Sequence, residues 1–165
     1  MSFRFAKPLG LMIALSLLLP LAAVAQEHVM SHKEGGIQFA LPAGWQSDAD
    51  GDRLLVHSPD KSVAIVFYVA TEDNFEAAVK AMTEEVDKII DNVKVTNKGK
   101  ESEVNGLSSY SVSGVGTMDD KPIAWDVTLL AAKRPVIVMG FAEPASWKKN
   151  EAAYNQLIAS IHKAE

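Results

Sequence analysis

Apolar positions along the chain follow two periods, and each predicts an element. Strand-length alternating or continuous apolar runs mark Gly36–Leu41, Arg53–His57, Ser62–Ala70, Leu107–Val115, Ile123–Ala131 and Val136–Phe141, because successive strand side chains point to opposite faces. Turn residues punctuate them at Gly35-Gly36, Asp50-Gly51, Pro59-Asp60, Asn105-Gly106, Asp119-Asp120 and Arg134-Pro135. Those spacings predict an antiparallel meander. Two stretches keep the helical period instead. Phe75, Val79, Met82, Val86, Ile89 and Ile90 form one stripe behind a capping box expected at Asp73 and Glu76. Trp147, Tyr154, Ile158 and Ile161 form a second, starting at Pro144 and expected to run to the C-terminus. Val63–Ala70 and Val136–Phe141 are apolar at almost every position, so both faces of those strands need cover. The prediction is one α+β domain over residues 26–165: an α/β/α sandwich whose mostly antiparallel sheet carries one long helix on each face.

The hairpin from Leu107 to Ala131 fixes its own register. A two-residue loop at Asp119-Asp120 sets Ser113 opposite Asp126 and Ser111 opposite Thr128. On the other face the same register sets Tyr110 beside Leu129, Val112 beside Val127, and Gly114 beside Trp125, whose indole then covers the bare glycine. A slip of one residue would put serines against the apolar row. Ser109, Ser111, Ser113, Asp126 and Thr128 thereby form a polar row. It is expected to be either the solvated side of a half-covered sheet or an open face that receives a partner segment or small polar ligand.

The chain begins with Arg4 and Lys7 and no acid, followed by an apolar run from Leu9 to Val24 that ends in Ala23-Val24-Ala25. That is the pattern of a secretory signal peptide over residues 1–25, cut after Ala25. Gly10, Ser16 and Pro20 interrupt the run, which favours cleavage over a membrane-spanning helix. The expected location is periplasmic or secreted. The full chain carries a formal net charge of −5, and loss of Arg4 and Lys7 makes it more acidic. Such a balance argues against nucleic acid and against a stable membrane anchor. With no cysteine in its 165 residues, the chain has no disulfide, thiolate metal site, cysteine nucleophile or lipid-bearing cysteine.

Gly36-Ile37-Gln38-Phe39-Ala40-Leu41-Pro42-Ala43-Gly44-Trp45, a strand running into Pro-x-Gly-Trp, resembles the opening of the PsbP-like superfamily. That group includes the photosystem extrinsic protein PsbP, a Ran-binding nuclear import factor and bacterial DcrB-like envelope proteins. The resemblance extends in order of elements from Gly36 to Ile161. It implies accessory or binding work rather than catalysis, and no functional residue is carried over from it. The missing lipid-anchor cysteine departs from the lipoprotein members.

Several local patterns bear on chemistry. After cleavage, Gln26-Glu27-His28 would offer an amine, two amides and an imidazole, a square-planar nitrogen set suited to Cu(II) or Ni(II), with Met30 and His32 on the face of His28 if the segment is extended. A mobile arm and cyclisation of Gln26 weigh against it. Asp48-Ala49-Asp50-Gly51-Asp52 has the carboxylates of a calcium loop, but aligning Gly51 with the loop glycine puts Gln46 in the first ligand position and His57 where a bidentate Glu belongs. A hairpin turn is the simpler reading. Ser58 to Lys61 and Ser146 to Lys149 match Ser-x-x-Lys without its companion motifs, so a serine hydrolase is the weakest alternative. Gly114-Val115-Gly116 reads as strand glycine, and Glu84-Glu85 and Asp119-Asp120 as solvated acids. His57 and His162 have no nearby ligand-like companion in sequence and read as structural or surface residues; Trp45, Trp125 and Trp147 would mark either a binding pocket or, as their apolar faces favour, the core. The functional expectation is an exported, non-enzymatic accessory or interaction module of the bacterial envelope, without a cofactor, binding another envelope protein or a small polar ligand. A Cu(II)/Ni(II)-binding protein is the alternative.

Overall fold

The computed structural model describes residues 28–164. The export segment, Gln26 and Glu27 lie outside them. Ten strands and two helices follow in the order β1 (His28–His32), β2 (Ile37–Leu41), β3 (Gln46–Asp50), β4 (Arg53–His57), β5 (Val63–Val69), α1 (Phe75–Ile89), β6 (Asp91–Val104), β7 (Leu107–Met118), β8 (Lys121–Ala131), β9 (Pro135–Ala142), α2 (Pro144–Ser160) and β10 (His162–Lys163). A seven-stranded sheet has the order β3-β4-β5-β9-β8-β7-β6, and a three-stranded sheet the order β1-β2-β10. Every pairing is antiparallel.

The two faces of the large sheet carry separate apolar clusters. Val63, Ile65, Phe67, Val136 and Val138 join Tyr154 and Leu157 of α2 and Ile37 and Phe39 of β2 on one face. Ile137, Met139, Val127 and Leu129 join Ala78, Met82 and Val86 of α1 on the other. Neighbouring residues of β9 thus enter opposite cores, as its unbroken apolar run requires. The sandwich is as expected, with one addition: the small sheet shares the α2 face, where it covers β4 and β5 through Phe39 stacked on Phe67 at 4.4 Å.

The β7–β8 register holds at every predicted pair, including Ser111 with Thr128, Ser113 with Asp126 and Gly114 with Trp125. Asp119 and Asp120 both take positive φ, 50° and 62°, the geometry of a type I′ hairpin. A Cβ on Gly114 would meet Trp125 Cζ2 at 2.6 Å and the Lys94 carbonyl at 2.4 Å, so only glycine lets the indole lie there. The ring is seated at a cost, because its buried N–H finds no acceptor.

Two expectations need correction, the hairpin expected at the acidic loop forms with its turn one residue later, and two edge strands are new. The cap of α1 is Asn74 rather than Asp73: its side chain accepts from the Ala77 N–H at 2.9 Å. Asn74→Ala should therefore cost about 1 kcal/mol in thermal or denaturant unfolding, and Asp73→Ala much less. The second helix stops at Ser160 rather than at the C-terminus, where the Asn105 side-chain amide donates to the Ala159 and Ile161 carbonyls at 2.7 and 2.8 Å. His162 and Lys163 then pair with β2. The acidic Asp48–Asp52 segment is the β3–β4 hairpin, turning at Gly51 and Asp52. The edge strands β3 and β6 were not anticipated.

Candidate functional site

The polar row on β7 and β8 is assembled as the register predicts, but it is not an open face. Ser109 and Thr128 are buried, and Ser111, Ser113 and Asp126 are half-buried. The reason is α2. A Cβ on Gly140, the β9 neighbour of Asp126, would stand 2.7 Å from the Tyr154 ring and 3.1 Å from that of Trp147. The bare backbone therefore lets both aromatics settle on the sheet. Tyr154 then donates its hydroxyl to Asp126 Oδ1 at 2.6 Å, and Thr128 donates to the same oxygen at 3.2 Å. Burial raises the Asp126 carboxyl above its ordinary value, against the pull of those two hydrogen bonds. Burial and the neighbouring Asp126 likewise hold the Tyr154 hydroxyl protonated. Ser109 shares a 2.8 Å hydrogen bond with Ser102 of β6. Ser109, Asp126 and Thr128 are therefore committed to contacts within the fold.

Of the metal candidates, Gln26 and Glu27 lie outside the described residues, and the other three are placed as follows. His32 is buried, with Nδ1 accepting from the Gly35 N–H at 3.2 Å and Nε2 donating to the Asp52 carbonyl at 3.1 Å. Both ring nitrogens serve the fold, so His32 is no ligand. The Met30 sulfur accepts from Ser47 at 3.6 Å, and His28 is exposed on β1. Among the described residues no group of three or more His, Cys, Asp or Glu side chains is placed to hold a metal. Ser58 is equally committed: its hydroxyl donates to Asp60 at 2.7 Å and accepts from the Val63 N–H at 3.0 Å, while Lys149 pairs with Asp60 at 3.2 Å. Hydrogen bonds from the Ser62 hydroxyl, then from Ser58, the Ser62 N–H and Lys149, hold the Asp60 carboxyl far below its usual range. His57, with no ligand-like companion near it in sequence, is paired across the β3–β4 hairpin with Asp48, 3.3 Å from its Nε2. One smaller reading changes: Glu85 is half-buried rather than solvated.

Glu85 leads to a site that sequence reasoning missed. On the α1 face, α1 packs against β6, β8 and β9, leaving β4 and β5 without a helix above them. Leu55, Val66 and Tyr68 on this face stay half exposed, while their neighbours Leu54, Val56, Ile65 and Phe67 are buried in the opposite core. Between this bare half-sheet and α1 runs a groove of about 450 Å³. Val66, Met139, Phe141, Met118 and Ile89 give it an apolar lining, and Arg53, Tyr68, Glu85 and Lys88 supply its polar groups. Tyr68 donates to Glu85 Oε2 at 3.0 Å, and the Arg53 guanidinium lies 5.9 Å from the Tyr68 ring centre. Burial, and then the charge of Glu85, pushes the Tyr68 hydroxyl well above its ordinary value, so it remains a donor. Ile89 is 48% exposed on the rim. The groove joins residues from β4, β5, α1, β7 and β9; Arg53, leading the otherwise apolar Leu54-Leu55-Val56, is the only local hint of it in the sequence.

No protein-family model and no curated protein matches the chain at the level of sequence. Solved structures do match. Cyanobacterial PsbP (CyanoP) from Synechocystis sp. PCC 6803 superposes with a TM-score of 0.60 at 12% identity, over 88% of this chain and 96% of that one. LpqN, described as involved in cell envelope biogenesis of Mycobacterium tuberculosis, gives 0.59 at 11% identity over 87% and 88%. PA94 from Pseudomonas aeruginosa, a protein of unknown function, gives 0.58 at 14% identity over 84% and 98%. With its helices on opposite faces of an antiparallel sheet, and with the Gly36–Trp45 motif forming β2 and the turn after it, this chain has the PsbP-like fold.

Proposed function

We propose that this chain is an exported, non-enzymatic accessory or binding module of the bacterial cell envelope, and that it works through the groove beside α1. The observation that carries this reading is the groove itself. Its volume of about 450 Å³ falls within the range of about 300–1,000 Å³ over which proteins hold small ligands, and its few polar groups on an apolar lining have the composition of such sites. Of its polar groups, Tyr68 and Glu85 are bonded to each other, which suits them to shaping the groove and holding an occupant. The shared fold with LpqN supports an envelope setting. Arg4, Lys7, the apolar run and Ala23-Val24-Ala25 support export with cleavage after Ala25; intact-mass and peptide mass spectrometry should find a chain starting at Gln26, open or cyclised, and retention of Met1 would contradict it.

The test of the site is photo-cross-linking in the native host. A benzophenone side chain at Ile89, on the groove rim, should yield a specific adduct; one at Lys148, exposed on α2, should not. No adduct from Ile89, or equal adducts from both positions, would refute the reading.

A further inference from the structure

We propose that the occupant of the groove is a single-chain amphiphile bearing one carboxylate, a fatty acid, with its head on Arg53 and its chain along Val66, Met139 and Phe141. This rests on the groove being the working surface.

Arg53, Tyr68 and Glu85 gather at one part of the groove, and Val66, Met139 and Phe141 lead away from it. Arg53 precedes the Leu54–Phe67 pair, which puts it beside Tyr68, and Tyr68 is paired with Ile137. Moving along β5, Val66 is paired with Met139 and Ala64 with Phe141. Arg53 and Phe141 are thus separated by about four strand residues, roughly 13 Å, and the lining between them is aliphatic and thioether. Met118 and Met139 are unbranched and polarisable, suited to a chain with no fixed shape of its own.

The charges select the head group. Among the described residues the ion pairs are His57 with Asp48 and Lys149 with Asp60, so Arg53 and Lys88 have no carboxylate within ion-pair distance. Two such cations beside an apolar groove, in a chain of net charge −5, are complementary to an anion, and the guanidinium fork fits a carboxylate bidentately. Glu85, hydrogen-bonded to Tyr68 and ion-paired with neither cation, offsets one of the two positive charges and leaves the groove a single net positive charge. Its negative charge within the same groove disfavours a doubly charged head and leaves the monoanion preferred. The site's nine lining residues are also few beside the roughly 20–30 that a stable protein interface needs on each side.

Calorimetric titration of the mature protein with dodecanoate and with dodecanol, the same chain without the charge, tests the proposal. Dodecanoate should bind about tenfold more tightly, the worth of one charge-assisted contact. Arg53→Gln, at an exposed position that leaves the core intact, should bring the two to within about twofold by weakening dodecanoate alone. Failure of dodecanoate to bind the folded protein, or an unchanged preference in Arg53→Gln, would overturn it. If Ile89 captures a protein while dodecanoate does not bind, the fatty acid is wrong and the groove remains the site. If Ile89 captures nothing and dodecanoate does not bind, both fail.

Discussion

Phe67→Ala should lower the unfolding free energy by about 3–5 kcal/mol. Phe67 is fully buried in β5, and its ring lies parallel to Phe39 of β2, 4.4 Å between centres and 4° between planes. Truncation removes the transfer energy of the ring, leaves a cavity between the two sheets, and strips the stack that seats the small sheet on the large one. Phe39→Ala should do comparable damage from the other side. Because each ring is the other's partner, the double variant should lose less than the two single losses together, by about 0.5–1.5 kcal/mol of stacking energy. Denaturant unfolding measures all three. A loss below about 1 kcal/mol for Phe67→Ala would show that the small sheet can close the gap, contrary to the close packing argued here.

The second large effect concerns Asp126. Burial raises its carboxyl above the ordinary value in the folded protein, so the fold binds a proton that the unfolded chain gives up. Its contribution therefore stabilises most at low pH. It declines as pH rises from the ordinary carboxylate value of 3.8 through the raised folded value, because there the native state holds more protons than the unfolded state. Asp126→Asn keeps an oxygen for Tyr154 and Thr128 and removes the charge. It should melt higher than the parent at pH 8, with the advantage vanishing toward pH 3. Tyr154→Phe should do the opposite at neutral pH, costing about 1–3 kcal/mol by leaving a buried carboxylate short of a donor. Melting curves of both variants across pH check the sign. A parent-minus-Asn difference that does not vary with pH would mean that Asp126 titrates alike in the folded and unfolded states.

These two effects mark what the sequence does and does not disclose. The β7–β8 register could be read because both faces carry independent patterns that agree on one pairing, Ser111 with Thr128 and Gly114 with Trp125. What lies over that pairing could not. Whether serines face water or a helix depends on Tyr154, 28 residues beyond Asp126, and on Gly140 leaving space for it. The edge strands were illegible for a different reason. The fourteen residues of β6 read DNVKVTNKGKESEV, mostly exposed, with three breaks in register. Its pairing is made by backbone groups and leaves little periodicity in the side chains. Lysines and irregular pairing of this kind also keep an edge from pairing with other chains. The five residues of β3, QSDAD, follow the same logic at the far edge.

The groove was hidden by distance along the chain. Arg53 and Met139 meet across strands joined by the order β4-β5-β9, and each looks ordinary in its own segment: one a charge at a strand start, the other part of a buried run. Glu85 looked like half of a solvated acid pair until Tyr68 was found bonded to it. What exposes the groove is that α1 leaves the β4–β5 half of the sheet bare, and a helix's placement over a sheet is set by packing that no local pattern records.

The most direct measurement of whether this groove is where the protein binds is methyl NMR of methionine-labelled protein, before and after addition of the envelope fraction that cross-links through Ile89. Met118 and Met139 line the groove, Met30 lies on β1 against Ser47, and Met82 is buried on the sheet-facing side of α1. The account predicts that the Met118 and Met139 methyl signals shift together and saturate, while Met30 keeps its position. A saturable shift at Met30 with Met118 and Met139 unmoved would contradict it.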